Sequence, residues 1–306
     1  MADLQPQTRM IRANDLEFGI LEVGPAQGPL ALCLHGFPDS ANTWRHLLPA
    51  LADAGYHGVA PFMRGYAPTG LPADGAYNVG ALAADAIALH EALSGDGDAV
   101  LIGHDWGAEA AYPAAAHAPE RWRRLVTLSV PPASLDPVLF SDYEQLKRFF
   151  YVYMFRDPTR FADAIVAAGE MAFLDQLWRD WSPGYDAKQD LANVKECVRE
   201  PSRLAAAIEY YRQNGAGGNG GGEQGAGECG SAGRYAEEQQ AAERQAPQPT
   251  LYLHGADDGC ISADLARRAE SLLAPSSRIV VVEEAGHFLH LEKPVEIGEH
   301  ILGWIA

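Results

Sequence analysis

Residues 103–108 read Gly-His-Asp-Trp-Gly-Ala, with Asp105 where a buried-strand pattern, Val100 to Gly103, gives way to an alanine-rich helix pattern. Gly103 and Gly107 flank Asp105 at two residues on either side. A sharp strand-to-helix turn needs such small residues if its strained centre is to project a side chain outward. The free N–H groups and positive end of the helix that opens there favour an ionised carboxylate. A carboxylate can displace a leaving group at saturated carbon and become an alkyl ester, whereas a serine at this turn would attack acyl carbon. One alternative involves no chemistry, because aspartate is also a favoured helix N-cap.

Further along the chain, "LHGADDGCI" sets Asp257 and Asp258 just past a strand, and "EEAGHFLHLEKP" sets His287 just past the last one. Nucleophile, acid and histidine in that order are the order of the α/β-hydrolase triad. Three loops at one end of a sheet would then supply three roles. Near the front, "LCLHGFPDS" can turn the Phe37 backbone N–H toward the same place, and the Trp106 N–H is the natural second donor to an oxyanion. His35 and His104 flank these turns and are read as packing or hydrogen-bonding residues. His290 has no assigned role.

The elements that must position these residues alternate in kind. Strand-like runs appear at "LEFGILEV", "LALCLHG", "HGVAPF", "DAVLIG" and "RLVTLSV", with helical patterns between several of them. Alternation of this type implies right-handed crossovers and a mainly parallel sheet, with an antiparallel edge at the first runs. From about Ser141 to Arg212 the chain reads as aromatic-rich helices. Strands return at "QPTLYLHG" and "SRIVVVEEAGH", each followed by a helix. A helical insertion in an α/β sheet belongs over the carboxyl ends of the strands, where such sheets bind ligands. From Gly215 to Gly233, ten of nineteen residues are glycine, which reads as a flexible connector. No strand precedes that run and no Gly-Lys-Ser/Thr closes it, so a phosphate cradle is set aside.

Composition sets the outer bounds. The 306 residues are 47% hydrophobic and 21% charged, ordinary for a globular protein. A net charge of −18 argues against nucleic acid or an anionic membrane as partner. No run approaches a membrane span. "MADLQPQTRMIRAND" has no signal-peptide core, so a cytoplasmic location is expected. Cys33, Cys197, Cys229 and Cys260 form no Cys-x-x-Cys pair and read as free thiols, with no metal site expected.

The motifs "HGFPDS", "GHDWGA", "GADDG" and "AGHFLHLEKP", with helices between the strands, resemble the epoxide hydrolases of the α/β-hydrolase superfamily. The resemblance runs through the core from about Arg12 to Ser134 and from Gln248 to Ala306, and is looser between. It implies a mostly parallel eight-stranded sheet flanked by helices: a core of 1–134 and 247–306, a helical cap of 135–213 and a connector of 214–246. It selects Asp258 over Asp257 as the acid and makes Asp105 the nucleophile and His287 the base. "YVYMFRDP" and "LAAAIEYYRQ" look like the family's cap-tyrosine segments and place those tyrosines at Tyr151 and Tyr211, with Tyr153 and Tyr210 as near competitors.

Phenols have a clear use here, because an epoxide opens to an alkoxide that leaves poorly unless hydrogen-bonded, and a phenol remains a donor at neutral pH. Phe37 and Trp106 would also touch substrate, a small hydrophobic epoxide consumed with water and without cofactor; a homodimer is left open. The rival is a haloalkane dehalogenase, which shares the aspartate and in which the Trp106 indole could bind halide. Its usual second side-chain donor has no counterpart in Phe37. A catalytically silent ligand-binding protein on the same fold is the third reading.

Overall fold

The computed structural model describes residues 6–214 and 231–306. Its strands are β1 (Gln7–Ala13), β2 (Leu16–Val23), β3 (Leu30–Leu34), β4 (His57–Pro61), β5 (Ala99–His104), β6 (Trp122–Leu128), β7 (Thr250–Gly255) and β8 (Arg278–Val282). They form one eight-stranded sheet in the order β1-β2-β4-β3-β5-β6-β7-β8. The pairs β1/β2 and β2/β4 are antiparallel and the rest are parallel, so the antiparallel edge expected from the first runs is present. Strands β3, β4, β5 and β7 are buried along their whole length, which is why they read as continuous apolar runs.

Strand β1 escaped that reading. Five of its seven residues, Gln7 to Arg12 apart from Ile11, are exposed, so no buried alternation marks it. It is held by pairing with β2 and by Arg9, whose Nε lies 2.7 Å from Glu22.

The helical insertion includes Tyr143–Arg148, Phe150–Phe155, Phe161–Trp181 (broken at 168–171), Lys188–Cys197 and Pro201–Gln213. It is stitched to loops at the carboxyl ends of the strands. Trp178 Nε1 donates to the Pro38 carbonyl after β3, and the Tyr210 hydroxyl to the Arg64 carbonyl after β4. Gln145 Nε2 donates to the Cys260 carbonyl after β7.

Residues 215–230 of the expected connector lie outside the described residues. Its remainder is built into the fold: short helices span Ser231–Arg234 and Ala236–Ala241, and the second packs on the helices Val79–Ala92 and Trp106–His117. Gln239 Oε1 accepts from the Gly80 N–H at 2.9 Å, and the Tyr235 hydroxyl donates to Asp74 at 2.8 Å. A polar hexapeptide, AEEQQA, is helical here because it docks, not because of an apolar stripe.

Among the described residues no helix is long and apolar enough to cross a membrane. Cys33, Cys197 and Cys260 are free and buried; Cys229 lies outside the described residues.

Candidate active site

Strand β5 ends at His104, the helix Trp106–His117 begins one residue later, and Asp105 makes the turn at φ +52° and ψ −121°. That backbone is strained for a residue with a side chain, and it persists because the surroundings over-determine it. Asp105 makes no side-chain cap bond to its own helix. Its Oδ1 instead accepts the Phe37 N–H at 2.7 Å, so the helix-cap alternative does not describe what this carboxylate does.

Two glycines make the approach possible. A Cβ on Gly107 would lie 2.1 Å from the Leu34 carbonyl, and one on Gly36 would lie 2.1 Å from Asp105 Oδ1. The replacement Gly36→Ala must therefore displace either the Asp105 carboxylate or the Phe37 N–H. Its expected result is at least about a hundredfold loss of turnover, with a melting temperature lower by several degrees. Steady-state kinetics beside a thermal melt checks this, and wild-type turnover would contradict it.

His287 follows β8 and is fully buried. Its Nδ1 lies 3.0 Å from Asp258 Oδ2, and its Nε2 lies 3.6 Å from Asp105 Oδ2. Its backbone is fixed on both sides: its N–H donates to the Trp181 carbonyl, and its carbonyl accepts from His104 Nε2 and Ser129 Oγ. Burial opposes charge on the imidazole, yet Asp258 and then Asp105 outweigh it and raise its pKa to about 10. It is an imidazolium between two carboxylates. Asp258 is also buried, but His287, His254 and the Ile261 N–H hold its carboxyl below the usual range. Its other oxygen accepts from the Cys260 and Ile261 N–H groups. Asp257 has no such position: its N–H bonds the Ala285 carbonyl, and no contact joins its side chain to His287.

Burial favours the neutral form of the histidines packed around the site, His35, His104, His254 and His290. His35 donates Nδ1–H to the Gly36 carbonyl and accepts the Met63 N–H on Nε2, and burial lowers its pKa to about 4. Behind the site Asp39 Oδ2, His104 Nδ1 and His290 Nδ1 have no hydrogen-bond partner among the described residues. Burial lifts Asp39 to about 8 and pushes His104 and His290 well down, so none competes with His287 for its proton.

In front of Asp105 lies a cavity of about 570 Å³ whose wall includes Trp106, Tyr151, Tyr211 and Cys260. The Tyr151 and Tyr211 rings are 5.7 Å apart, and Tyr211 packs edge-on against Trp106 at 5.0 Å and Phe37 at 5.3 Å. The Tyr151 hydroxyl is 3.4 Å from Cys260 Sγ. The Tyr211 hydroxyl is buried and has no hydrogen-bond partner among the described residues. Burial raises both phenols well above their ordinary pKa, so they stay protonated donors. Of the competitors, Tyr153 is half exposed, and Tyr210 spends its hydroxyl on the Arg64 carbonyl.

Four cavity residues were not singled out from the sequence: Glu109, Asp136, Arg156 and Cys260. Cys260 stands two residues after Asp258, and Glu109 one helical turn after Asp105. Those spacings are the only signals that could have found them.

Both the sheet and the turn are those of a hydrolase scaffold in which loops at the strand ends carry the chemistry. Residues 29–294 match the family described as alpha/beta hydrolase fold, and the chain belongs to that family. Among curated relatives, Epoxide hydrolase A of Mycobacterium tuberculosis is 28% identical, with 98% of each chain covered. An epoxide hydrolase of Caballeronia sordidicola is 37% identical over 57% of this chain and 52% of that one. Among solved structures, an epoxide hydrolase from an endophytic Streptomyces superposes with a TM-score of 0.78 at 26% identity, covering 98% of this chain and 95% of that one.

Proposed function

We propose that the protein hydrolyses an epoxide to a vicinal diol through an alkyl ester on Asp105. The observation that carries this reading is the buried Tyr211 hydroxyl, set near Tyr151 and Trp106 in a cavity shared with a carboxylate nucleophile. Two phenols meet the need of a ring oxygen that becomes an alkoxide; halide release has no use for them. The relatives named above support the same chemistry.

The protonation states give a balanced cycle. Asp105 attacks a ring carbon, the carbon–oxygen bond breaks, and the ring oxygen takes a proton from a cap phenol. Esterification removes the Asp105 charge that helped hold the His287 proton. The imidazolium then returns a proton to the phenolate and becomes a neutral base at the stage where one is needed. It takes a proton from water, and the resulting hydroxide attacks the Asp105 carboxyl carbon. The oxyanion develops toward the Phe37 and Trp106 N–H groups. Collapse expels the diol oxygen, which takes the carboxyl proton, and Asp105 and imidazolium are restored. Asp258 keeps the imidazole oriented throughout.

Styrene oxide tested beside 1-chlorobutane separates the readings. Diol without halide release is the expected result. Halide without diol would make the protein a dehalogenase, and no product from either would leave a silent ligand-binding protein.

A further inference from the structure

The cavity is not apolar throughout. Near Asp105 its wall is Trp106, Tyr151, Val152 and Ile261. Four residues along the same helix, about 6 Å further by helical rise, Glu109 enters the wall, with Asp136 and Arg156 beside it. Glu109 is partly exposed and lines this cavity.

Neither the Glu109 nor the Asp136 carboxyl makes a hydrogen bond or ion pair among the described residues. The one cation at this place is engaged elsewhere. Arg156 donates through Nε to the Tyr211 carbonyl at 3.3 Å and through Nη2 to the Asn214 carbonyl at 2.6 Å, and its guanidinium lies 4.9 Å over the Phe140 ring. Asp105 and Glu243 line the same cavity. Asp105 is already paired with the His287 imidazolium, so the charge of this half is set by Glu109, Asp136 and Glu243 against Arg156 alone.

We infer that this half of the cavity is a subsite for a cationic amine, and that the preferred substrate is an epoxide with an ammonium-bearing substituent about one helical turn from the ring. The inference rests on the proposed epoxide chemistry for the other half of the substrate only. Two carboxyls that face a ligand cavity and take no hydrogen bond from the protein are free to accept one from a ligand. An ammonium group can satisfy both. A carboxylate would meet Asp105 and Asp136 as like charges.

The protonation of the pair fits that assignment. Burial, then Asp136 and Asp105, raise the Glu109 pKa well above the carboxylate range, and Arg156 only partly offsets them. Burial lifts Asp136 to about 6 against the pull of Arg156. An arriving cation favours the ionised form of the pair. Binding of the cation therefore strengthens as pH rises through the titration of Asp136, and is accompanied by proton release.

Three epoxides of similar size test the inference: 4-ethylstyrene oxide, its 4-aminomethyl analogue and its 4-carboxy analogue. At neutral pH the aminomethyl compound is expected to exceed the ethyl compound in kcat/KM by at least about tenfold, and the carboxy compound to fall about tenfold below it. In Glu109→Gln/Asp136→Asn the aminomethyl-to-ethyl ratio is expected to collapse to about one. A wild-type ratio of one or less, or a ratio unchanged in the double variant, overturns the subsite. The single variant Glu109→Gln, with the ratio expected to fall part of the way, serves if the double variant does not fold. Calorimetry with benzylammonium against benzyl alcohol reads the subsite without any epoxide chemistry. Benzylammonium binding that the variants weaken supports the subsite even if no epoxide is opened; its absence overturns it. Opening of the ethyl compound without an ammonium preference removes the subsite alone.

Discussion

Replacing Asp105 with alanine abolishes diol formation, with a fall of at least about 10⁴-fold in kcat, the scale at which loss of a covalent nucleophile is felt. Alanine is the informative choice because an asparagine at a reactive turn can hydrolyse back to aspartate. The fold is expected to survive. Asp105 caps no helix, and its side chain serves the Phe37 N–H and His287 only. Alanine at φ +52° carries a strain similar to that of the residue it replaces, so the melting temperature should stay within a few degrees. A second readout is independent of turnover. With Asp105 gone, Asp258 alone supports the imidazolium, and the His287 titration, followed by NMR, should move down from about 10. Residual diol formation near the wild-type rate would end the covalent reading.

Asp105 and His287 could be read from the sequence because each follows a strand with an apolar run; the same pattern offered Asp257 and Asp258 together, and the resemblance chose Asp258. The turn that carries Asp105 also leaves a local mark: Gly36, Gly103 and Gly107 stand where a Cβ would strike backbone or nucleophile. Tyr151 and Tyr211 were placed by resemblance, and residue type alone does not separate them from Tyr153 and Tyr210. Tertiary packing does, since the first competitor faces solvent and the second is tied to Arg64.

The polar half of the cavity left almost no trace. Glu109, Asp136 and Arg156 look like surface residues of ordinary helices, and their proximity depends on how the cap closes over the sheet. Strand β1 and the helix Ala236–Ala241 were hidden for a related reason. Both are polar along much of their length, and pairing with a neighbour, not hydrophobic periodicity, decides their structure.

His287→Gln divides the cycle in two. Alkylation of Asp105 needs the carboxylate and a donor for the ring oxygen, and neither is lost when the imidazole goes. Ester hydrolysis needs a base beside Asp105, and no other described group can supply it: His104 and His290 are held neutral behind the site, and His254 is fully buried with its ring nitrogens on Tyr252 and the Ile261 carbonyl. The expected result is an enzyme that takes up one epoxide and stops. Intact-mass measurement should show protein plus one substrate mass, and peptide mapping should put the adduct on Asp105. The phenol that gave its proton to the ring oxygen now has no imidazolium to restore it, so the first half-reaction should slow as well, by less than the second. Absence of any adduct, together with slow steady turnover, would mean that water attacks the epoxide directly and that Asp105 is not esterified.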